Sequence, residues 1–144
     1  MEKREKFSSF FLFLQMLQKN VYHKYIISVG SNSEKDMAVQ NIKTAFNFLI
    51  ERFEAVVFSE IIPTHAVGME VDCQFFNAVV RFQTPMQLVE LKLFLKETER
   101  KMGRTSCAED VVIDMDIILV NGKVVHEDYE NRTFIRELIQ AIEG

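Results

Sequence analysis

A chain of 144 residues, 48% hydrophobic and 26% charged, is sized for one soluble domain with a substantial core. Its formal net charge of −4 argues against a general nucleic-acid surface, and no apolar run reaches the roughly 20 residues of a membrane span. Cys73 and Cys107 stand apart, with neither a CxxC nor a paired framework, which points to a reduced, cytoplasmic protein.

Met1 to Lys6 is charged and Phe7 to Leu17 is apolar, a pattern that imitates a secretion signal. Gln15, Gln18, Lys19 and Asn20 follow it, and no small-residue cleavage site appears. Residues 1–22 are therefore expected to form a poorly ordered extension, and 23–144 a single domain. Tyr25 to Val29 is a short apolar strand ended by Gly30-Ser31-Asn32. From Asp36 to Phe53 the residues Ala38, Ile42, Ala45, Phe46, Leu49 and Phe53 form one helical stripe. Ala55 to Ile62 is β-branched and aromatic, a strand, and Pro63 to Asp72 is expected as a loop. Phe76, Ala78, Val80 and Phe82 alternate with Asn77, Val79 and Arg81 in a further strand. Thr84-Pro85 predicts a helix start, with Thr84 as N-cap, and Gly103 predicts its stop. The strand Val111 to Val120 runs into an Asn121-Gly122 hairpin turn and Lys123-Val124-Val125. Arg132 to Ile142 reads as a short amphipathic helix. The order β-α-β-β-α-β predicts an α+β, ferredoxin-like sandwich, with helices on one face of an antiparallel sheet and the other face free for loops and ligands.

Within Val111–Val120, Asp114 and Asp116 interrupt an otherwise apolar run. Alternation puts both carboxylates on one face, roughly 6.5–7 Å apart along the strand, with Val111, Ile113, Met115, Ile117 and Leu119 on the other. Two such carboxylates repel each other and resist desolvation unless a cation sits between them, and Mg²⁺ on phosphate oxygens is a common solution. A wet face of an edge strand explains the same pair. No GxxxxGK[ST], GxGxxG, HExxH, GxSxG or Cys–His metal spacing is present.

Gly30-Ser31-Asn32, Thr64…Gly68, Phe75-Phe76-Asn77-Ala78, Glu99…Gly103-Arg104 and Ile113-Asp114-Met115-Asp116-Ile117 occur in an order that resembles the 6-hydroxymethyl-7,8-dihydropterin pyrophosphokinases. The resemblance runs from about Tyr25 to Leu119. It implies transfer of the β,γ-pyrophosphoryl group of ATP to the hydroxymethyl oxygen of a dihydropterin, an early step of folate synthesis that releases AMP. It implies two Mg²⁺ on Asp114 and Asp116, and Arg104 facing the phosphates. Glu99, Ile117, Arg132 and His126 fall at the ATP site, and Thr64, Phe75, Asn77 and Phe134 at the pterin. Read without the resemblance, Glu99 and Arg104 suit a solvated helix end, Phe75 and Phe134 are core aromatics, Asn77 is a strand-end polar residue and His126 a surface residue after a hairpin.

The pattern also departs from the family. Thr105 to Val111 lacks the arginines and tryptophan of the longer catalytic loop, and Glu109-Asp110 add negative charge. Three classes follow: a pyrophosphokinase with a reduced lid, a pterin- or nucleotide-binding relative with little turnover, and an interaction domain with exposed aspartates.

Overall fold

The computed structural model describes residues 21–65, 74–103 and 112–144. Arg104, Gly68, the segment 105–111 and the extension up to residue 20 lie outside them. The element order is β1 (His23–Ser31), α1 (Lys35–Arg52), β2 (Glu54–Phe58), β3 (Ile62–His65), β4 (Gln74–Thr84), α2 (Leu88–Lys101), β5 (Asp114–Val120), β6 (Lys123–Val124), α3 (Asp128–Asn131) and α4 (Thr133–Glu143). The chain is an α+β protein built on one antiparallel sheet, with strands in the order β2-β4-β1-β5-β6 and β3 also on β4.

β1 is the axis of this sheet. Tyr25 to Ser31 is buried throughout and pairs with β4 on one side and β5 on the other, which suits its continuous apolar composition. On one face, Tyr25, Ile27, Val29, Ala78, Val80, Phe82, Met115 and Ile117 meet the helices. α1 contributes Ala38, Ile42, Ala45, Phe46 and Leu49, the stripe its spacing predicts, and α2 contributes Leu91 and Leu95. The opposite face carries a second, smaller core. Ile26, Val79 and Ile118 pack against Ile135, Leu138 and Ile139 of α4. The expectation of helices on one face alone is thereby corrected: the apolar stripe of α4 needs a partner, and this end of the sheet offers one. Glu143 holds the far end of α4 to the sheet through Lys24 Nζ at 2.9 Å and Arg81 Nη1 at 3.3 Å.

Several local expectations change for physical reasons. The single strand expected over Ala55–Ile62 is split. β2 bulges at Ala55, whose φ is +52°, and Ser59 leaves the ladder to bond Val79 with its backbone N–H and its hydroxyl. Part of the expected loop is strand instead, since Pro63, Thr64 and His65 pair with Phe76, Phe75 and Gln74. α2 starts three residues later than Thr84-Pro85 suggests. Thr84 stays in β4 opposite His23, and its Oγ1 accepts the Met86 N–H at 3.2 Å, so Gln87 becomes the N-cap. Gly103 ends the helix at φ +92°, and Asn121-Gly122 turns the hairpin with both φ positive. In β5 the register slips between Ile26 and Ile27, so that Ile27 faces Ile117 and Ile26 faces Leu119. Leu119 therefore joins Ile118 at the α4 core rather than lying on the face opposite the aspartates.

Ile135 is 2% exposed at the centre of the α4 contact. Ile135→Ala is expected to cost about 2–5 kcal/mol in urea denaturation by creating a cavity, as Leu91→Ala does on the other face. A loss below about 1 kcal/mol would show that α4 is not part of the cooperative core.

Candidate functional site

Register assigns the candidate residues to faces. Asp114 lies opposite Gly30, Gly30 opposite Asn77, and Asn77 opposite Ile62. Asp116 lies opposite Ser28, which lies opposite Val79. Directly opposed residues share a face. Asp114, Asp116, Asn77, Phe75 and its partner Thr64 therefore all belong to the face on which α4 sits, beyond the end that α4 packs against. Asn77 Nδ2 donates to Thr64 Oγ1, which fixes the amide. Gly30 makes room for it: a Cβ at Gly30 would fall 2.5 Å from Asn77 Oδ1. Phe75 is half-buried, and so is Phe134, packed against the second core rather than inside it. Neither is the fully buried aromatic of the core reading.

Beside this face, β6 pairs only with Leu119 and Val120, and a cleft of about 730 Å³ lies along the upstream edge of β5. Lys92, Lys96, Glu99 and Arg100 of α2 form one wall, and Asp114 to Ile117 with His126 line the other side. Glu99 is 5% exposed, so the solvated helix end expected from residues alone does not hold for it. Its Oε1 accepts the Met115 N–H at 2.8 Å, an edge donor that would otherwise be left unsatisfied. Ile117 packs in the first core while lining the cleft.

The two carboxylates are electrostatically strained. Burial, the neighbouring Asp114 charge and a hydrogen bond with Asp114 together raise the Asp116 pKa from 3.8 to about 6, with Asp128 adding to them and His126 opposing. His126 is brought to the acids despite its place after a hairpin: Nε2 stands 3.9 Å from Asp116 Oδ1. Its Nδ1 accepts the Asp128 backbone N–H at 3.0 Å, which in the neutral ring puts the proton on Nε2. Asp128 in turn forms an ion pair with Arg132, Oδ1 to Nε 3.2 Å. Asp116, His126 and Asp128 have ligand atoms within 4.8 Å of one another. With Nδ1 and the Asp128 carboxylate already engaged, though, His126 offers an N–H donor to the cleft rather than a metal ligand. Asp114 and Asp116 offer hard oxygen donors of the kind a divalent cation takes.

Thus the structure gathers Asp114, Asp116, Thr64, Phe75 and Asn77 on one face, and Glu99, Ile117 and His126 at its margin. Arg132 joins through Asp128, while Arg104 is outside the described residues. Sequence reasoning missed Asp128, Lys92 and Lys96. The signal was present in the spacing: Asp128 and Arg132 stand four apart, as do Lys92, Lys96 and Arg100 along one side of a helix.

The raised Asp116 pKa predicts the metal-free protein's response to pH. The folded state holds this proton more tightly than the unfolded chain, so stability is full below about pH 4, falls as pH rises through about 6, then levels. Melting temperature scanned from pH 4 to 8 checks this, and Asp116→Asn should flatten the fall. An unchanged profile in that variant would assign the slope to other groups.

No curated protein gives a significant match to the chain. Residues 26–144 match the family model described as 7,8-dihydro-6-hydroxymethylpterin-pyrophosphokinase, covering both the carboxylate strand and the strand that carries Asn77. The chain belongs to the 7,8-dihydro-6-hydroxymethylpterin-pyrophosphokinase family.

Proposed function

We propose that this protein transfers the pyrophosphoryl group of ATP to the hydroxymethyl oxygen of 6-hydroxymethyl-7,8-dihydropterin in the cytoplasm, releasing AMP. One observation carries the reading beyond family membership: the Asp114/Asp116 pair and the Asn77–Thr64 pair share one sheet face across Gly30. A cation-binding group and a group suited to an amide-like ring edge thus stand side by side, as joining a triphosphate to a pterin alcohol requires. We read the strand order, with β2 and β3 both on β4, as the ferredoxin-like sandwich.

The donor set suits Mg²⁺. Two carboxylates that hold a proton up to about pH 6 because of burial and each other are in the state a divalent cation relieves. When bound, Mg²⁺, as two ions with ATP, neutralises charge on the phosphates and favours in-line displacement. The chain's own residues do the rest. In this reading Asn77, held by Thr64, hydrogen-bonds the pterin edge, and Phe75 and Phe134 offer aromatic surface to the ring. Glu99 keeps the β5 edge in place, Ile117 gives the nucleotide an apolar contact, and His126 Nε2–H, Arg132 and Arg104 donate to phosphate oxygens. A bond then forms between the hydroxymethyl oxygen and the β-phosphorus while the bridge to the α-phosphate breaks, AMP departs, and the hydroxyl proton is released to solvent.

The test is AMP release from ATP, Mg²⁺ and the dihydropterin alcohol, with pyrophosphorylated pterin formed in equal amount. Asp114→Ala and Asp116→Ala should each lower turnover by about 10²-fold or more and abolish thermal stabilisation by Mg²⁺·ATP, with the fold retained. Because Thr105–Val111 contains no arginine, turnover should fall below that of members with an arginine-bearing loop assayed alongside. Stabilisation by Mg²⁺·ATP without AMP release would leave a binding relative. No stabilisation by either substrate would leave an interaction domain.

The pterin side is tested separately. Asn77→Ala and Phe134→Ala should each weaken dihydropterin binding by roughly tenfold while Mg²⁺·ATP affinity stays within about twofold, measured by calorimetry. A lowered melting temperature with pterin affinity intact would return Phe134 to the core.

A further inference from the structure

Asp128 sits two residues after His126, which lines the cleft, and four before Arg132. Its side chain is 20% exposed, against 40% for Arg132, so the pair is partly shielded from solvent. The residue acts on both neighbours. Its backbone N–H bonds His126 Nδ1 at 3.0 Å, its Oδ2 lies 3.6 Å from that nitrogen, and its Oδ1 forms an ion pair with Arg132 Nε at 3.2 Å. Each contact uses the inner atom of its partner. A neutral imidazole bonded through Nδ1 keeps Nε2–H for another acceptor, and that atom stands 3.9 Å from Asp116. A guanidinium bonded through Nε keeps its paired Nη1 and Nη2 edge, the edge that grips a phosphate with two parallel bonds. Asp128 is also one of the charges that raise the Asp116 pKa, which places its carboxylate within electrostatic reach of the acid pair.

We infer that Asp128 is a positioning residue for polyphosphate binding: it orients Arg132 by a carboxylate bond and His126 by its backbone, so that both present their remaining N–H groups to the nucleotide's phosphates. The inference rests on the proposed Mg²⁺·ATP site and adds a residue that touches no substrate. A negative charge near a polyanion site is unfavourable by itself. It becomes useful when it converts a mobile arginine into a fixed fork, because less side-chain freedom is then lost on binding. An isolated surface pair, by contrast, would stabilise the chain slightly and leave ligand affinity alone.

The test uses the full chain in four forms: wild type, Asp128→Ala, Arg132→Ala and the double variant, with Asp128→Asn as a control. Calorimetric titration with Mg²⁺·ATP should show about tenfold weaker binding for each single alanine variant. The double variant should be no weaker than Arg132→Ala, since Asp128 acts through that side chain. Asp128→Asn should retain most of the affinity, because an amide oxygen still accepts from Nε. A second readout needs no ligand. The Arg132 Nε–H signal in ¹⁵N–¹H spectra should exchange slowly in the wild type and in Asp128→Asn, and rapidly in Asp128→Ala. Additive losses, or wild-type affinity in Asp128→Ala, would overturn the positioning role while leaving the pyrophosphokinase reading standing. Failure of the wild type to bind Mg²⁺·ATP would overturn both, and the Nε–H signal would then show only whether the pair forms.

Discussion

Mutual repulsion between two carboxylates organises this molecule's working end. Asp114 and Asp116 stand on one face of a strand whose opposite face is core, so neither can turn away without breaking the sheet. The protein tolerates the arrangement by keeping a proton near Asp116 well above the usual carboxylate range and by bringing His126 toward it. Neutral hydrogen-bonding groups and cations stand near this unresolved charge, Asn77 and Thr64 across the sheet and Lys92 and Lys96 along α2, while the carboxylates of Glu99 and Asp128 are tied to a backbone N–H and to Arg132. In the proposed reading, such a site suits a ligand that carries its own cation and its own negative charge together.

Among the described residues, α4 stops short of that end of the sheet. Among those residues it covers one end of the second face, its eleven residues packing from Phe134 to Ile142. Contacts of Lys24 and Arg81 with Glu143 hold its C-terminal end over the far part of the sheet. Beyond α4 the polar row Asp114–Gly30–Asn77 takes the place of the apolar cluster of Ile26, Val79 and Ile118. A glycine in the middle strand is the smallest residue that lets Asn77 lie flat over β1 toward the acids.

Much of this is legible in the sequence. The stripe of α1, the Asn121-Gly122 turn and the carboxylate pair each follow from a period or a turn preference that depends only on nearby residues. What was not legible depended on long-range pairing. Thr64 was assigned to a loop because β3 exists only by virtue of β4 beside it. Thr84 looked like a helix cap because its alternative, a ladder position opposite His23, is invisible in local sequence. His126 read as a surface residue since nothing local shows that the short β5–β6 hairpin folds back to bring it to Asp116. Family resemblance supplied that placement where periodicity could not.

The bulge at Ile118 has a meaning for how this chain tolerates change. Upstream of it, the pairs Gly30–Asp114 and Ser28–Asp116 set the spacing of the acids; downstream, Leu119 and Val120 obey a different phase. One strand therefore carries two registers joined by a single extra residue. Lengthening or exchanging the hairpin that follows, in a descendant protein or by design, alters the downstream phase and the packing under α4. The spacing of the acids is insulated from it, because their partners in β1 lie on the other side of the joint. Loss of the bulge would be the dangerous event: with one residue fewer, either the hairpin half or the acidic half of β5 would have to turn its side chains to the opposite face.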